Sequence, residues 1–286
     1  METKLGIIGG TGFYELAGVK EINHLMLKTP YGDPSDEYMI GERDGKEIVF
    51  LPRHGRGHTI LPMKVNYRAN IYGMKQLGVT HIISISTVGS FKEEIEPGSI
   101  VFVAQYFDRT KKQVHDTFFD EGVAIHISFG DPICPCMHDQ LLEIAQDLDV
   151  KYTPSGTYVN IEGPSFSTRV ESKLYRSWGM SVIGMTNIYE ARLCREAELH
   201  FATIAQVTDY DSWKQESVDV PSIMANLGKA TESARKVVTD YIKKFPFQEC
   251  RCACRHALET AIVSDINRLE PSLKQRYALF LDKYFN

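Results

Sequence analysis

Two carboxylates spaced i and i+2, Asp209 and Asp211, close the run Thr208-Asp209-Tyr210-Asp211. The preceding run, His200 to Val207, is mostly apolar and β-prone, so the pair stands at the mouth of a predicted buried strand. The carboxyl ends of strands are where α/β sheets bind ligands. Carboxylates this close resist joint ionisation, so one can keep a proton near neutral pH. A protonated carboxyl can donate to a ring nitrogen and act as general acid toward a leaving base. The same spacing also suits a helix N-cap followed by a turn. The other clusters in the chain decide between these uses.

Three clusters in the first half offer anion donors. Gly9-Gly10-Thr11-Gly12 exposes backbone N–H groups and adds the Thr11 hydroxyl. No G-K-[ST] follows, and Glu15 occupies the third glycine position of a dinucleotide fingerprint, so neither nucleotide motif is met. Arg53-His54-Gly55-Arg56 ends an apolar strand, with a guanidinium suited to bidentate phosphate binding and His54 as a second donor. Ser86-Thr87-Val88-Gly89-Ser90 again sets hydroxyls before glycine at a strand end. One bound phosphate accounts for all three clusters. In the second half, Phe166 stands between Ser165 and Ser167, Met185-Thr186-Asn187 ends a strand, and the two aspartates end another. An aromatic face, a methionine and a carboxyl pair suit a nucleobase and its sugar. Val220, Ile223 and Met224 lie at i, i+3 and i+4 on one helix face, fit for an apolar substituent or for core packing.

Strands are expected at Lys4–Ile8, Glu47–Leu51, His81–Ser86, Ser99–Ala104, Ser155–Ile161, Ser181–Met185 and His200–Val207. Helices are expected at Asn66–Leu77, His138–Leu148, Thr168–Trp178, Ile188–Glu196 and Val220–Lys244, with a helical tail from Arg251. This alternation predicts one α/β domain. The 286 residues, 43% hydrophobic, supply an ample core. A net charge of -5 with both signs interspersed gives no basic stripe for nucleic acid. No signal peptide is evident, and no stretch reaches the about 18 apolar residues of a membrane span, so a soluble cytoplasmic protein is expected.

The cysteines fall as Cys134-x-Cys136, Cys194 and Cys250-x-Cys252-x-Cys254. In a reducing cytosol these are thiols. The spacing differs from that of a zinc knuckle and only His256 lies nearby in sequence, so no metal is expected. Cys250 or a neighbour could meet Cys194 in a disulfide, and exchange among the C-x-C thiols is an alternative.

The segments GIIGGTG (6–12), RHGRGHT (53–59), NYRANI (66–71), STVGS (86–90), IEGPSFSTR (161–169), GMT (184–186) and TDYDSWK (208–214) occur in one order. Together they closely resemble the trimeric purine nucleoside phosphorylase family, and most of all its members that cleave 5′-methylthioadenosine. The resemblance covers roughly residues 4–244. It implies a central mixed β-sheet flanked by helices over 1–244, with a helical C-terminal extension over 245–286 that packs on the same domain. The activity implied is reversible phosphorolysis to adenine and 5-methylthioribose 1-phosphate, in purine and methionine salvage. No cofactor is implied, inorganic phosphate being a co-substrate. By position, Thr11, Arg53, His54, Ser86, Thr87 and Thr186 would hold phosphate, with the main ligand of the Ser86–Thr87 pair left open. Phe166 and Ser167 would line the base, Met185 the ribose, and Val220, Ile223 and Met224 the 5′ group. Asp209 would bond the purine at N7 and the 6-amino group, with Asp211 beside it. Asn187 stands where a threonine is expected. A homotrimer or dimer of trimers is implied, in which a neighbouring subunit lends His126.

Rival readings are a phosphorylase for adenosine or inosine, a water-using nucleosidase, a nicotinamide oxidoreductase, and a catalytically silent nucleoside-binding protein. Asp209 speaks against 6-oxopurines, since an acceptor at position 6 prefers an amide. The anion-binding clusters speak against the nucleosidase, and the absent third glycine against the oxidoreductase.

Overall fold

A computed structural model of the chain describes residues 3–11, 13, 18–111, 115–214, 220–246 and 252–285. Gly12, Glu15, Cys250 and Arg251, singled out above, lie outside them. The strands are β1 (Leu5–Gly9), β2 (Lys20–Leu25), β3 (Tyr38–Arg43), β4 (Lys46–Pro52), β5 (His81–Ser90), β6 (Ile100–Asp108), β7 (Tyr152–Asn160), β8 (Val182–Gly184) and β9 (His200–Asp209). The helices are α1 (Tyr67–Gln76), α2 (Pro135–Gln146), α3 (Arg169–Ser177), α4 (Asn187–Glu196), α5 (Val220–Lys244) and α6 (Pro271–Leu281).

All nine strands join one mixed sheet in the order β2-β3-β4-β1-β5-β8-β7-β6-β9, and β9 also pairs with β5. The extra pairing closes β5, β8, β7, β6 and β9 into a ring. Strands β4, β1, β5 and β9 are parallel, with Gly9 level with Pro52 and Asp209 level with Gly89. Their carboxyl ends therefore open on one edge. Strand β8 meets the end of β5 antiparallel, placing Ile183 opposite Gly89, and runs parallel to β7. The ends of β7 and β8 thus turn back onto the same edge.

Local sequence accounts for these elements. The run of β1 is buried and apolar on both faces and that of β9 is buried up to Thr208 and mostly apolar, as strands covered on both sides tend to be. Asn66 caps α1 by accepting the Ala69 N–H, and Thr168 with Glu171 forms a capping box on α3. Strand β2 (KEINHL) is a largely exposed edge strand, so it carries no apolar signal and was not expected. Strand β5 runs on through the hydroxyl cluster to Ser90, because its two ends pair with different neighbours.

The tail is less helical than expected. Short 3₁₀ turns at Ala253–His256 and Ile266–Arg268 precede α6. The Asp265 side chain accepts from the Asn267 N–H and Pro271 occupies the first turn of α6, so each restarts the chain locally. The tail joins the main core. Phe280 stacks on Phe118 at 4.4 Å, and Tyr277 packs on Phe119 at 5.4 Å.

The expected pairing of Cys194 is corrected. Cys194 is a free buried thiol inside the core, whereas Cys136 is disulfide-bonded. Position 194 lies on the buried face of α4, next to Leu193, where packing claims it.

Candidate active site

The turns after β1 and β4 are locked together, since the Arg53 N–H donates to the Gly9 carbonyl at 2.9 Å. The Arg53 guanidinium is buried beneath them. Its Nε and Nη2 bond Glu190 of α4 at 2.5 and 2.8 Å, Nη2 also reaches Ser84 Oγ at 2.7 Å, and Nη1 donates to the Ile85 carbonyl at 2.9 Å. A guanidinium has five N–H donors. One Nη1 hydrogen is left over, and Nη1 lies against Gly10, where an added Cβ would approach it to 2.9 Å. Arg53 is therefore mainly a structural cation with a single donor to spare beside the first glycine turn.

His54 departs from the donor role expected of it. Its Nδ1 lies 2.8 Å from the Ile60 carbonyl, an acceptor only, so Nδ1 carries the hydrogen. Burial first, and then the charge of Arg53, push the imidazole down to about 3. A neutral ring whose one N–H is spent leaves Nε2 as an acceptor, suited to a protonated phosphate oxygen or water. His58, in a left-handed conformation, stacks on His54 at 4.4 Å.

Strand alternation separates the two hydroxyls left open by sequence. Ser86 is buried and lies 3.0 Å from the Tyr158 hydroxyl. Thr87 points to the other side, where its Oγ1 lies 3.5 Å from the Thr11 carbonyl. Thr186, also buried, is close enough to the same Tyr158 phenol to lower its pKa against the effect of burial. Tyr158 thus ties β5 to the β8 turn, and sequence reasoning missed it. The clue was a lone phenol in a buried strand, which must find partners. Gly184 is required beside it, because a Cβ there would meet the Tyr158 oxygen at 1.9 Å.

The two aspartates occupy the far side of Gly89. Asp209 accepts from the Thr208 hydroxyl at 2.8 Å and from the Asp211 N–H at 2.8 Å. Burial nevertheless raises its carboxyl above the usual range. Asp211 is more deeply buried, adopts φ 49°, and keeps Oδ2 without a hydrogen-bond partner among the described residues. Burial is the main cause that pushes it up to about 6, and the Asp209 charge adds to the shift.

The remaining candidates surround this pair unevenly. The Ser167 carbonyl accepts from Ser212 Oγ at 2.8 Å, joining the aromatic loop to the aspartate turn. Ser167 Oγ is buried without a partner among the described residues, while Phe166 is 46% exposed on a cleft of about 370 Å³ shared with Arg109, Glu162 and Tyr175. The Met185 sulfur lies over Gly163. Helix α5 is held to the site by Asn226 Nδ2, which donates to the Thr208 carbonyl at 2.8 Å. At its start Val220 and Met224 are 64% and 55% exposed, and Ile223 is half-buried, so this face is not spent on the core. His126 is exposed, and its N–H bonds the Ala261 carbonyl at 2.9 Å. Asn187 faces the buried network instead, bonding Ser84 at 2.8 Å and accepting from Thr203 at 2.6 Å.

Hydroxyls, a buried cation and two carboxyls of raised pKa gather at one sheet edge of an α/β fold, an arrangement able to hold an anion and a basic ring. The family model described as the phosphorylase superfamily matches residues 4–243, and the chain belongs to that family. It is 47% identical to the S-methyl-5'-thioadenosine phosphorylase of Geobacter sulfurreducens, over 99% of this chain and 100% of that protein. A solved methylthioadenosine phosphorylase sourced from an antarctic soil metagenomic library superposes with TM-score 0.91 at 39% identity, covering 98% of this chain and 99% of that one. The Schistosoma mansoni methylthioadenosine phosphorylase in complex with adenine gives TM-score 0.86 at 31% identity, over 92% and 99% of the two chains.

Proposed function

We propose that the chain catalyses reversible phosphorolysis of 5′-methylthioadenosine to adenine and 5-methylthioribose 1-phosphate, serving purine and methionine salvage. The relatives named above support the substrate. The observation that carries the chemistry is that the Asp209–Asp211 pair stands beside Gly89 of β5, the strand that also carries Thr87, whose hydroxyl lies 3.5 Å from the Thr11 carbonyl. Phosphate oxygen attacks C1′, the C1′–N9 bond breaks with its electron pair leaving on adenine, and a carboxyl proton passes to N7. Phosphate beneath C1′ offsets the positive charge of an oxocarbenium-like transition state. Thr11, Thr87, the spare Arg53 donor and Thr186 serve as its donors, with His54 Nε2 accepting from its hydroxyl. Phe166 and Ser167 hold the base, Met185 the ribose, and Val220, Ile223 and Met224 the methylthio group. Inorganic phosphate is a co-substrate and no catalytic cofactor is needed.

The same reading makes the protein a cytoplasmic homotrimer or dimer of trimers, in which His126 serves a neighbouring subunit's sugar. No described helix is long and apolar enough to cross a membrane.

Adenine release from 5′-methylthioadenosine with and without phosphate tests the reaction. Release that requires phosphate and yields the sugar 1-phosphate is expected. Release in its absence means hydrolysis, and cleavage of inosine alone means the aspartates are misassigned. The Gly89→Ala variant is a second test. Its new Cβ would stand 2.7 Å from Asp209 Oδ1 and 3.2 Å from Asp211 Cβ, so the carboxyl must move. A displacement of that size costs about 10²-fold in turnover, with an unchanged circular dichroism spectrum. Wild-type turnover would separate Asp209 from the chemistry.

A further inference from the structure

We propose that Cys134, His200, Cys252 and Cys254 form a closed tetrahedral zinc site that pins the C-terminal tail to the foot of the sheet. Their ligand atoms all lie within 4.8 Å of one another. Cys134 Sγ is 3.3 Å from His200 Nδ1 and 3.6 Å from Cys252 Sγ, and Cys252 Sγ is 3.3 Å from His200 Nδ1. A tetrahedral zinc with bonds of about 2.3 Å to sulfur and about 2.0–2.1 Å to nitrogen separates two sulfurs by about 3.8 Å and sulfur from nitrogen by about 3.5 Å. The three spacings among Cys134, His200 and Cys252 are close to these, and the pairs that involve Cys254 lie within 4.8 Å. They are far from the about 2.05 Å of a disulfide, and these cysteines are free.

The donors come from three separated places. Cys134 is the N-cap of α2, His200 opens β9, and the tail supplies Cys252 and Cys254 around a 3₁₀ turn. Sequence spacing hid the set, because the histidine that completes it is His200 rather than His256. The latter pairs with Glu259 instead. His200 is 3% exposed and its ring stacks on His81 at 4.3 Å, which fixes its orientation. Cys134 and Cys254 are buried as well. Four converging lone-pair donors, three of them on buried residues, favour a cation, and three thiolates with one imidazole suit zinc. On binding, the three thiols release their protons to solvent and zinc takes the sulfur lone pairs.

Four protein ligands leave no open position, so the role is structural. Distance agrees, since β9 runs about 30 Å from His200 to Asp209 at about 3.3 Å per residue. The metal would secure the tail against the main core without touching the reaction.

The full-length protein, grown with zinc and purified under thiol reductant without chelator, is assayed for metal by plasma mass spectrometry. About one zinc per chain is expected, falling below about 0.1 in the Cys252→Ser/Cys254→Ser variant. Cobalt(II) exchanged into the wild type is expected to give thiolate charge-transfer and tetrahedral ligand-field bands, a readout independent of how the variant folds. Zinc removal is expected to lower Tm while turnover well below Tm is unchanged. Metal-free protein with alkylatable thiols at all three positions overturns the proposal. So does stoichiometric iron, or a peptide map that shows Cys134 joined to Cys252 by a disulfide.

Discussion

Asp209→Asn is expected to lower kcat for 5′-methylthioadenosine by about 10²–10⁴-fold, the range of general acid–base contributions, while KM changes little. The split follows from hydrogen-bond inventory. Neutral adenine presents an acceptor at N7 and a donor at N6, and an amide satisfies both as well as a protonated carboxyl does. Once N7 takes the proton, adenine presents two donors, which a carboxylate accepts and an amide NH₂ opposes. The loss therefore falls on the transition state alone. A 6-oxopurine with N7 protonated presents one donor and one acceptor, which suits the amide, so preference is expected to move toward 5′-methylthioinosine. The variant should fold, because the amide oxygen of the introduced side chain can still accept the Asp211 N–H that Asp209 Oδ1 accepts now. Steady-state kinetics on the two nucleosides are the check. A rise in KM with kcat intact would make Asp209 a binding residue only. The pH profile adds a sign. Asp211 is raised to about 6, so its proton is present below that pH and lost above it. If Asp211 supplies the proton, kcat/KM declines as pH rises through about 6, and in Asp211→Asn that limb disappears.

The sequence made the strand ends legible because buried parallel strands are apolar runs that stop at glycines, hydroxyls and charges, and those stops are the site. Hence β1, β4, β5 and β9 were placed to within a few residues. Strand β2 was invisible for the opposite reason, being polar and edge-bound. What sequence could not supply was pairing across the fold. It read Arg53 as a phosphate clamp, since nothing in the RHGR segment reveals that Glu190, far along the chain, consumes most of the guanidinium. It read His54 as a donor, since the spent Nδ1 hydrogen depends on a carbonyl six residues away in a folded turn. The partnering of Ser86 by Tyr158 and the convergence of His200 on three cysteines are likewise tertiary facts.

Glu190→Gln is expected to be the most destabilising of these substitutions, and phosphate should partly reverse it. Arg53 and Glu190 are each 1% exposed, so removing one charge strands the other in a dry interior. Breaking a buried pair costs about 3–5 kcal/mol, read as a drop in Tm. The environment deepens the effect. Ser84 Oγ accepts from Arg53 and Asn187 while donating to Glu190, so its whole capacity is committed to this geometry. A dianionic ligand beside the spare Nη1 hydrogen would compensate the stranded guanidinium. Phosphate should then raise Tm more in Glu190→Gln than in the wild type, through its tighter binding to the native state. Equal shifts would mean that Arg53 does not face the anion. Arg53→Ala alone cannot decide this, because it leaves Glu190 buried and unpaired and so confounds stability with phosphate affinity. The pair Arg53→Met with Glu190→Gln removes both charges at similar volume, a change that is often neutral for stability. If that variant regains Tm yet keeps a raised KM for phosphate, the arginine serves both the core and the co-substrate; if both return to wild-type values, its role is structural.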